Sequence, residues 1–401
     1  MRTWLERVVD VVTAFMLMDV AFTSSYLVYS NGAVFYTPVT ILALALALVM
    51  MLKAFTDIPG TVTTILGIFT IAVYIAYVAL VFGVWNRVFT GTDEILFAYY
   101  ANYLLVHGIN PYTVDMNGII NQLHTPFLTT LLPGGYGNEY SYPVLSFLVF
   151  TPFYLLGLRN FIAVQVLFLG IALLIAWYDT PRKWGNLAFI AFLIAPVFFT
   201  YVVGGVMDVL WVPFMLMSMR EMQKGRYKWS GFWLGTADNI KQTPWIVVAY
   251  LMLFFIKNRK RLGWAPLKNL LTWWFIGFLV WNIPFMAYPP NIHTPFEWLR
   301  GVLYPVIAPT VSQGFALAYY NITIGTLLHS LMTLLTIAWV LFTLFIYWWY
   351  ADKPQALWLA YVMPAVVYFV TWRSLANYFM TFIPVAYYAV LMYAKQSGEI
   401  K

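Results

Sequence analysis

The sequence predicts an all-α polytopic membrane protein, a bundle of about eleven or twelve transmembrane helices. Three observations lead there. Of its 401 residues, 62% are hydrophobic and only 9% are charged, where a soluble domain carries roughly 25% charged residues. Several apolar runs reach the ~20 residues that an α-helix needs to cross the hydrocarbon layer. The strict alternation of a membrane β-barrel is missing, so the spans are helices. Composition also closes some routes. The chain contains no cysteine, which excludes disulfides and thiolate chemistry. Its four histidines are scattered and lack the spacing of a zinc site. The net charge of +7 reads as topology rather than as a nucleic-acid surface, because Lys and Arg collect in cytoplasmic loops. The 18 Trp and 29 Tyr suit the aromatic belts of a membrane protein and identify no ligand.

The strongest basic clusters, at 220–228 and 257–268, mark the cytoplasmic side, and Arg2, Arg7, Lys53, Arg182, Lys183, Lys353, Lys395 and Lys401 join them. Residues 8–29 then go out, as a retained anchor with no small-residue cleavage site after it. Residues 36–52 return and 61–85 go out again, making 1–86 an N-terminal three-helix segment. The remainder, 87–401, forms a second region. It opens with a large external loop, 87–142, carrying juxtamembrane helices. Residues 143–158 are short and interrupted by Pro152, so they are read as half-inserted, which leaves Arg159 outside. Residues 161–178 descend, 186–203 rise, and 206–219 descend with Asp208 near the outer end. The stretch KWSGFWLGTADNIKQTPWIVVAYLMLFFI lies between two basic loops, so it must rise and return. It breaks at Lys241-Gln242-Thr243-Pro244, at the tip of a shallow hairpin. Residues 264–286 rise to a second external loop, 287–325, which holds His293, Glu297 and Arg300. Residues 327–350 descend, 356–371 rise to Trp372-Arg373, and 378–394 descend to the tail. On this path Asp93, Glu94, Arg159, Asp208, Lys241 and Arg373 all fall on the outer side.

Each polar candidate has a plain reading beside a functional one. Thr92 is a good N-cap, and acids in the first helical turn are favoured by the helix dipole, so capping alone accounts for Asp93 and Glu94. Gly108 and Pro111 end that helix by ordinary stop chemistry. Alternatively, a carboxylate at a membrane surface serves as general base for a hydroxyl nucleophile. Lys241 is harder to dismiss. A lysine within the hydrocarbon costs about 2.5–3.5 kcal/mol on insertion scales and usually marks a functional site, although snorkelling to the interface also accommodates it. The broken helix around it, with Asn239, Gln242 and Thr243, fits a polar cavity lining. Asp208 reads as a dipole-favoured acid starting a descending helix, as a site residue, or as an ion-pair partner of Lys241. Arg373 is either an interfacial anchor or, with Asn377 and Tyr378, a group of donors suited to a phosphate. His293, Glu297 and Arg300 read as rim residues. The tetrapeptide His-Thr-Pro-Phe occurs at 124–127 and at 293–296 and carries no inference.

Five stretches in order, GTDEILFAYYANYLLVHGINPY, YSYPVLSFLVFTPFYLLGLRN, GGVMDVLWVPFMLM, GFWLGTADNIKQTPWIVV and RSLANYFMTFIPV, resemble the C-type glycosyltransferase (GT-C) superfamily. The nearer similarity is to its prokaryotic, archaeal mannosyltransferase-like branch, related to protein O-mannosyltransferases and aminoarabinose transferases. The resemblance runs from about Thr90 to the C-terminus and rests on order and spacing rather than on one motif. It departs from the family in having Val144 where a second proline is common, and three N-terminal spans where one is usual. It implies a GT-C-like bundle, with the active site on the extracytoplasmic side of the cell membrane. The implied reaction moves a hexose or mannose-like sugar, with inversion, from a polyprenyl-phosphate donor to a hydroxyl of a glycan, lipid or protein. The family's loop acid falls on Asp93, with Glu94 adjacent, as the catalytic pair. Lys241 with Gln242, Arg373, Asp208, Tyr142, Arg159, Asn377 and Tyr378 become substrate-binding residues. Asp93 then takes the acceptor proton, and Lys241 and Arg373 stabilise the departing phosphate. Some members need a divalent metal such as Mg or Mn, for which Asp93, Glu94 and Asp208 supply carboxylates. The rival is a secondary transporter or lipid flippase, since broken helices with an intramembrane lysine also suit alternating access.

Overall fold

The computed structural model describes residues 91–123, 128–131, 135–181, 205–289, 291–307, 313–314, 329–368, 371 and 373–400. Earlier in the chain it describes 10–14, 17–18, 21, 37–55, 61–62, 65 and 68–69, and between these regions 188 and 202. The described residues are mostly helical, with a two-residue parallel pairing of β1 (Gln313–Gly314) with β2 (Arg373–Ser374). In chain order the principal helices are α1 (Thr37–Phe55), α2 (Asp93–Val106), α3 (Asn117–Leu123), α4 (Ile162–Asp179), α5 (Val212–Gln223) and α6 (Tyr227–Asp238). They continue as α7 (Ile246–Lys257), α8 (Ala265–Ala287), α9 (Pro295–Ile307), α10 (His329–Tyr350), α11 (Met363–Tyr368) and α12 (Phe382–Ser397). Three are long and apolar enough to cross a membrane: α4, α8, and α10 over Thr333–Tyr350. The chain is a helical, multi-pass membrane protein. The crossings expected at 8–29, 61–85 and 186–203 lie largely outside the described residues.

The helical elements within 143–158 and 206–219 are shorter than those segments. Residues 143–158 hold two short helices, Leu145–Leu148 and Thr151–Leu155. Even end to end such a segment rises roughly 20 Å, short of the ~30 Å hydrocarbon layer. Residues 206–219 are not one helix from their start. Met207–Trp211 is a 3-10 turn, and α5 begins only at Val212, where Pro213 suits the first helical turn. Lys53, read from the sequence as a cytoplasmic marker, is buried and pairs with Asp10 at 2.9 Å. That pair sits beside a small core in which Ala14 and Leu17 meet Leu46, Ala47 and Met50.

The main core gathers α4, α5 and α12, whose C-terminal ends meet at Asp179. Arg220 approaches this carboxylate at 3.2 Å and Lys395 at 3.4 Å, and the Tyr388 hydroxyl donates to it at 2.5 Å. The three helices therefore run in the same direction, as the alternation of basic loops requires. α5 joins two polar poles, with Asp208 just before its start and Arg220 near its end.

The hairpin α6–α7 is held by close backbone contact with α8. Gly231 and Gly235, four residues apart on one face of α6, leave room for the opposite backbone. A Cβ at Gly231 would lie 2.1 Å from the Leu270 carbonyl oxygen, and one at Gly235 2.0 Å from that of Trp274. Gly277 on α8 reciprocates, since a Cβ there would lie 2.2 Å from the Phe232 oxygen. Lipid tails are as apolar as leucine, so helices in a membrane associate through such small-residue packing. Each of α6 and α7 has twelve residues and rises about 18 Å, which leaves their junction short of a full crossing. Gly235→Ala is expected to cost about 1–3 kcal/mol through overpacking, read as a lower thermal midpoint of the purified protein. Gly118→Ala, where a Cβ meets nothing within 4 Å, is expected to leave that midpoint unchanged or raise it.

Candidate functional site

The site starts from the cap of α2. Thr92 accepts from the Ile95 N–H at 3.5 Å and donates its own hydroxyl to the Gly205 carbonyl at 2.7 Å. Gly205 has φ +92°, and a Cβ there would lie 2.7 Å from Ile95 Cγ2. Glycine therefore meets both the left-handed backbone and the close approach. This docking brings the 3-10 turn against the helix start, where the Met207 N–H donates to Glu94 Oε2 at 2.9 Å.

Lys241 enters between the two elements. Its ammonium donates to Glu94 at 2.9 and 3.1 Å and to Asp208 Oδ2 at 2.8 Å. An ammonium has three donors, and these bonds match them. All three residues are buried, Lys241 being 3% exposed, Glu94 8% and Asp208 2%. Asp208 also receives the Thr243 hydroxyl at 3.3 Å, the Trp211 indole N–H at 3.4 Å, and the Asn377 side-chain amide. The rings of Tyr142 and Tyr378 flank the ammonium, with centroids at 5.5 and 5.7 Å. Burial pushes the Glu94 carboxyl above the ordinary carboxylate range; Lys241 pulls it down and the nearby Asp208 charge pushes it up.

Lys241 can sit here because the chain is not helical between α6 and α7. The break's polar backbone groups find partners outside it. The Leu145 N–H donates to the Asn239 carbonyl at 3.0 Å, and the Tyr368 hydroxyl donates to that of Thr243 at 2.8 Å. Irregular backbone at membrane depth requires such compensation. The Gln242 side-chain amide ties the break to two other segments, donating to the Ser141 and Val302 carbonyls at 2.7 and 2.9 Å.

Beside the cluster lies a cavity of about 300 Å³. Its polar lining comes from Asp93, Thr129, Glu139, Ser141, Lys241 and Gln242. Tyr142, Tyr368 and Tyr378 add aromatic rings, and Ile246, Val340 and Val367 add apolar surface. Asp93 Oδ2 accepts the Thr129 N–H at 2.7 Å. At the rim, Glu139 pairs with Arg300 at 2.5 Å. The Tyr112 hydroxyl donates to the Tyr142 carbonyl at 2.6 Å and fixes that residue's backbone. Burial raises the Tyr112 phenol well above its ordinary value, so it remains a donor.

The structure thus separates the two adjacent acids: Asp93 lines the cavity, while Glu94 points into the core as an ion-pair partner. Of the three readings of Asp208, the pair with Lys241 is the observed one, and the residue lies in a 3-10 turn rather than at a helix start. Tyr142, Gln242 and Tyr378 line the cavity, and Asn377 supports Asp208. Arg159 does not line it. Its guanidinium lies 4.6 Å from the Tyr154 ring centroid, at the other end of the short helices. Arg373 is in β2 through its backbone, and its side chain lies outside the described residues, as do the first His-Thr-Pro-Phe copy and Trp372. Among the described residues no three or more His, Asp or Glu side chains are grouped to hold a metal ion. Between Glu94 and Asp208 the Lys241 ammonium fills the space a cation would take.

Two features escaped the sequence reading. Tyr368 lines the cavity and carries no local signal for it. Asp238, fully buried at the end of α6, accepts the Trp274 indole N–H at 2.7 Å through Oδ2, while its Oδ1 has no partner among the described residues. Its neighbour comes from α8, which sequence spacing does not reveal. No family model, curated protein or solved structure matches the chain.

Removing Lys241 leaves two buried carboxylates facing each other. Lys241→Ala is expected to cost about 3–5 kcal/mol, seen as loss of monodisperse protein or a much lower thermal midpoint. Lys241→Met combined with Glu94→Gln and Asp208→Asn removes every charge and is expected to recover most of that stability.

Proposed function

We propose that the chain is an inverting glycosyltransferase that moves a sugar from a polyprenyl-phosphate donor to an acceptor hydroxyl at the outer membrane face. The observation behind this reading is the mixed wall of the cavity. A carboxylate and tyrosines share the lining with apolar side chains, one of them on the membrane-spanning helix α10. A lipid-linked sugar has the same two-part chemistry. Its headgroup suits Asp93 and the tyrosines, and the start of its prenyl chain suits Ile246, Val340 and Val367.

In this reading Asp93 is the general base. The acceptor oxygen attacks the anomeric carbon from the face opposite the phosphate, and its proton passes to Asp93. The bond from that carbon to the phosphate oxygen breaks as the new glycosidic bond forms, and polyprenyl phosphate leaves with the electron pair. Configuration inverts. Lys241, which also lines the cavity, gives its three N–H groups to Glu94 and Asp208, and its charge lies beside Tyr142 and Tyr378 where the leaving phosphate would develop negative charge. Arg373 is the cation assigned to the leaving phosphate, which guanidinium binds well.

One observation favours the transporter class, namely a buried ion cluster at a helix break. The discriminating assay uses purified protein in liposomes with a labelled polyprenyl-phosphate sugar and candidate acceptors. Covalent transfer is expected, and Asp93→Asn is expected to lower its rate by about 10²–10⁴-fold with donor binding and thermal midpoint unchanged. Full activity in Asp93→Asn would overturn the base. Counterflow of substrate without any covalent transfer would favour the transporter.

A further inference from the structure

α8 exposes Ile276, Val280 and Ile283 on one side, at the i, i+4, i+7 spacing of a lipid-facing stripe. That apolar exposure continues past the end of the span. Ile292 follows in the linker at 57% exposed, and Phe296, Leu299 and Leu303 lie along one side of α9 at i, i+3, i+7, Phe296 at 79% exposed.

The opposite side of α9 is committed to protein. Gly301 packs so closely that a Cβ would lie 2.5 Å from the Tyr112 ring and 2.6 Å from the Tyr140 carbonyl oxygen. The Val302 carbonyl accepts from Gln242, and Tyr304 lines the cavity. The linker is folded tightly onto the end of α8. The Asn291 side-chain amide donates to the Phe285 carbonyl at 2.7 Å, and the Ile292 N–H donates to that of Tyr288 at 3.2 Å. Asn110 adds a bond to the Thr294 hydroxyl at 2.9 Å. α9 therefore starts at the level where a membrane span ends. Its orientation is fixed on one side, and its apolar side is left without protein among the described residues.

A helix at that level with an exposed apolar stripe is suited to the boundary between headgroups and acyl chains. We propose that α9 is an interfacial helix whose Phe296, Leu299 and Leu303 insert into the outer part of the bilayer. The membrane surface then holds the cavity wall that Tyr304 supplies, and Arg300, paired with Glu139, sits at headgroup level. The continuity of the stripe with that of α8 selects lipid over a second copy of the chain as the occupant. The inference does not depend on the reaction proposed for the cavity.

The absence of cysteine permits a direct test with single-cysteine variants carrying a bimane label, in phosphatidylcholine nanodiscs. Phe296→Cys and Leu303→Cys report on α9, and either suffices if the other fails to give monodisperse protein. Leu341→Cys, on the exposed face of α10, is the reference for lipid, and Tyr136→Cys, in the first external loop, is the reference for water. Labels on α9 are expected to lose emission to nitroxide lipid as strongly as the Leu341→Cys label and to resist iodide. A nitroxide near the headgroup is expected to quench them better than one at the chain end, with the reverse order at Leu341→Cys. Iodide quenching like that of Tyr136→Cys, without quenching by nitroxide lipid, would overturn the proposal. Protection from both quenchers would also overturn it, because another protein surface would then cover the stripe.

Discussion

A lysine ammonium held between two carboxylates, with all three groups out of water, organises one end of this protein. Each charge alone would be costly to bury, and the pairings hold only when the geometry is complete. The contributing chain segments are far apart. Glu94 opens α2, Asp208 lies in a 3-10 turn, Lys241 sits in a broken hairpin, and Asn377 comes from near the C-terminus. Their convergence explains several local irregularities. The hairpin breaks where the lysine must leave the helix axis, and the turn before α5 presents both the Met207 N–H and the Asp208 carboxylate. Gly205 allows that turn to press against the start of α2.

The same cluster defines the cavity beside it. With Glu94 and Asp208 satisfied by Lys241, Asp93 is left as a carboxylate facing the space, and the flanking tyrosines are held at fixed positions around the ammonium. Two adjacent acids thus have opposite fates, set by the turn of the helix. Successive residues in an α-helix are not on the same face, so one looks inward and the other along the surface. At the other pole, Asp179 collects Arg220, Lys395 and Tyr388 and ties three helix ends together. The bundle is pinned at both ends by charge and between them by apolar packing.

How far the sequence could be read depended on the scale of the physics. The spans α4, α8 and α10 were legible because hydropathy over about twenty residues leaves little choice of structure. Lys241 was legible because a lysine within an apolar hairpin is costly wherever it points. Glu94 was not, since a capping acid and an ion-pair partner look the same after Thr92. Asp208 was ambiguous for a related reason: a 3-10 turn and a first helical turn share the same residue preferences. Gly231 and Gly235 are visible as a pair, but the Leu270 and Trp274 carbonyls they admit are set by tertiary approach. Arg159 lies beside Tyr154, away from the cavity, because the two short helices separate it from Tyr142.

The C-terminal part of the chain reaches both poles, with Asn377 bonded to Asp208 and Tyr388 and Lys395 bonded to Asp179. A ribosome delivers these residues well after α4 and α5. Until then α4 and α5 are already made, yet Asp179 lacks two of its three partners and Asp208 lacks an amide donor. Membrane insertion of the earlier helices therefore precedes the completion of either charged cluster. The stretch from Asn377 to Lys395 acts as a stitch through the bundle, closing the charged clusters at both ends of α5.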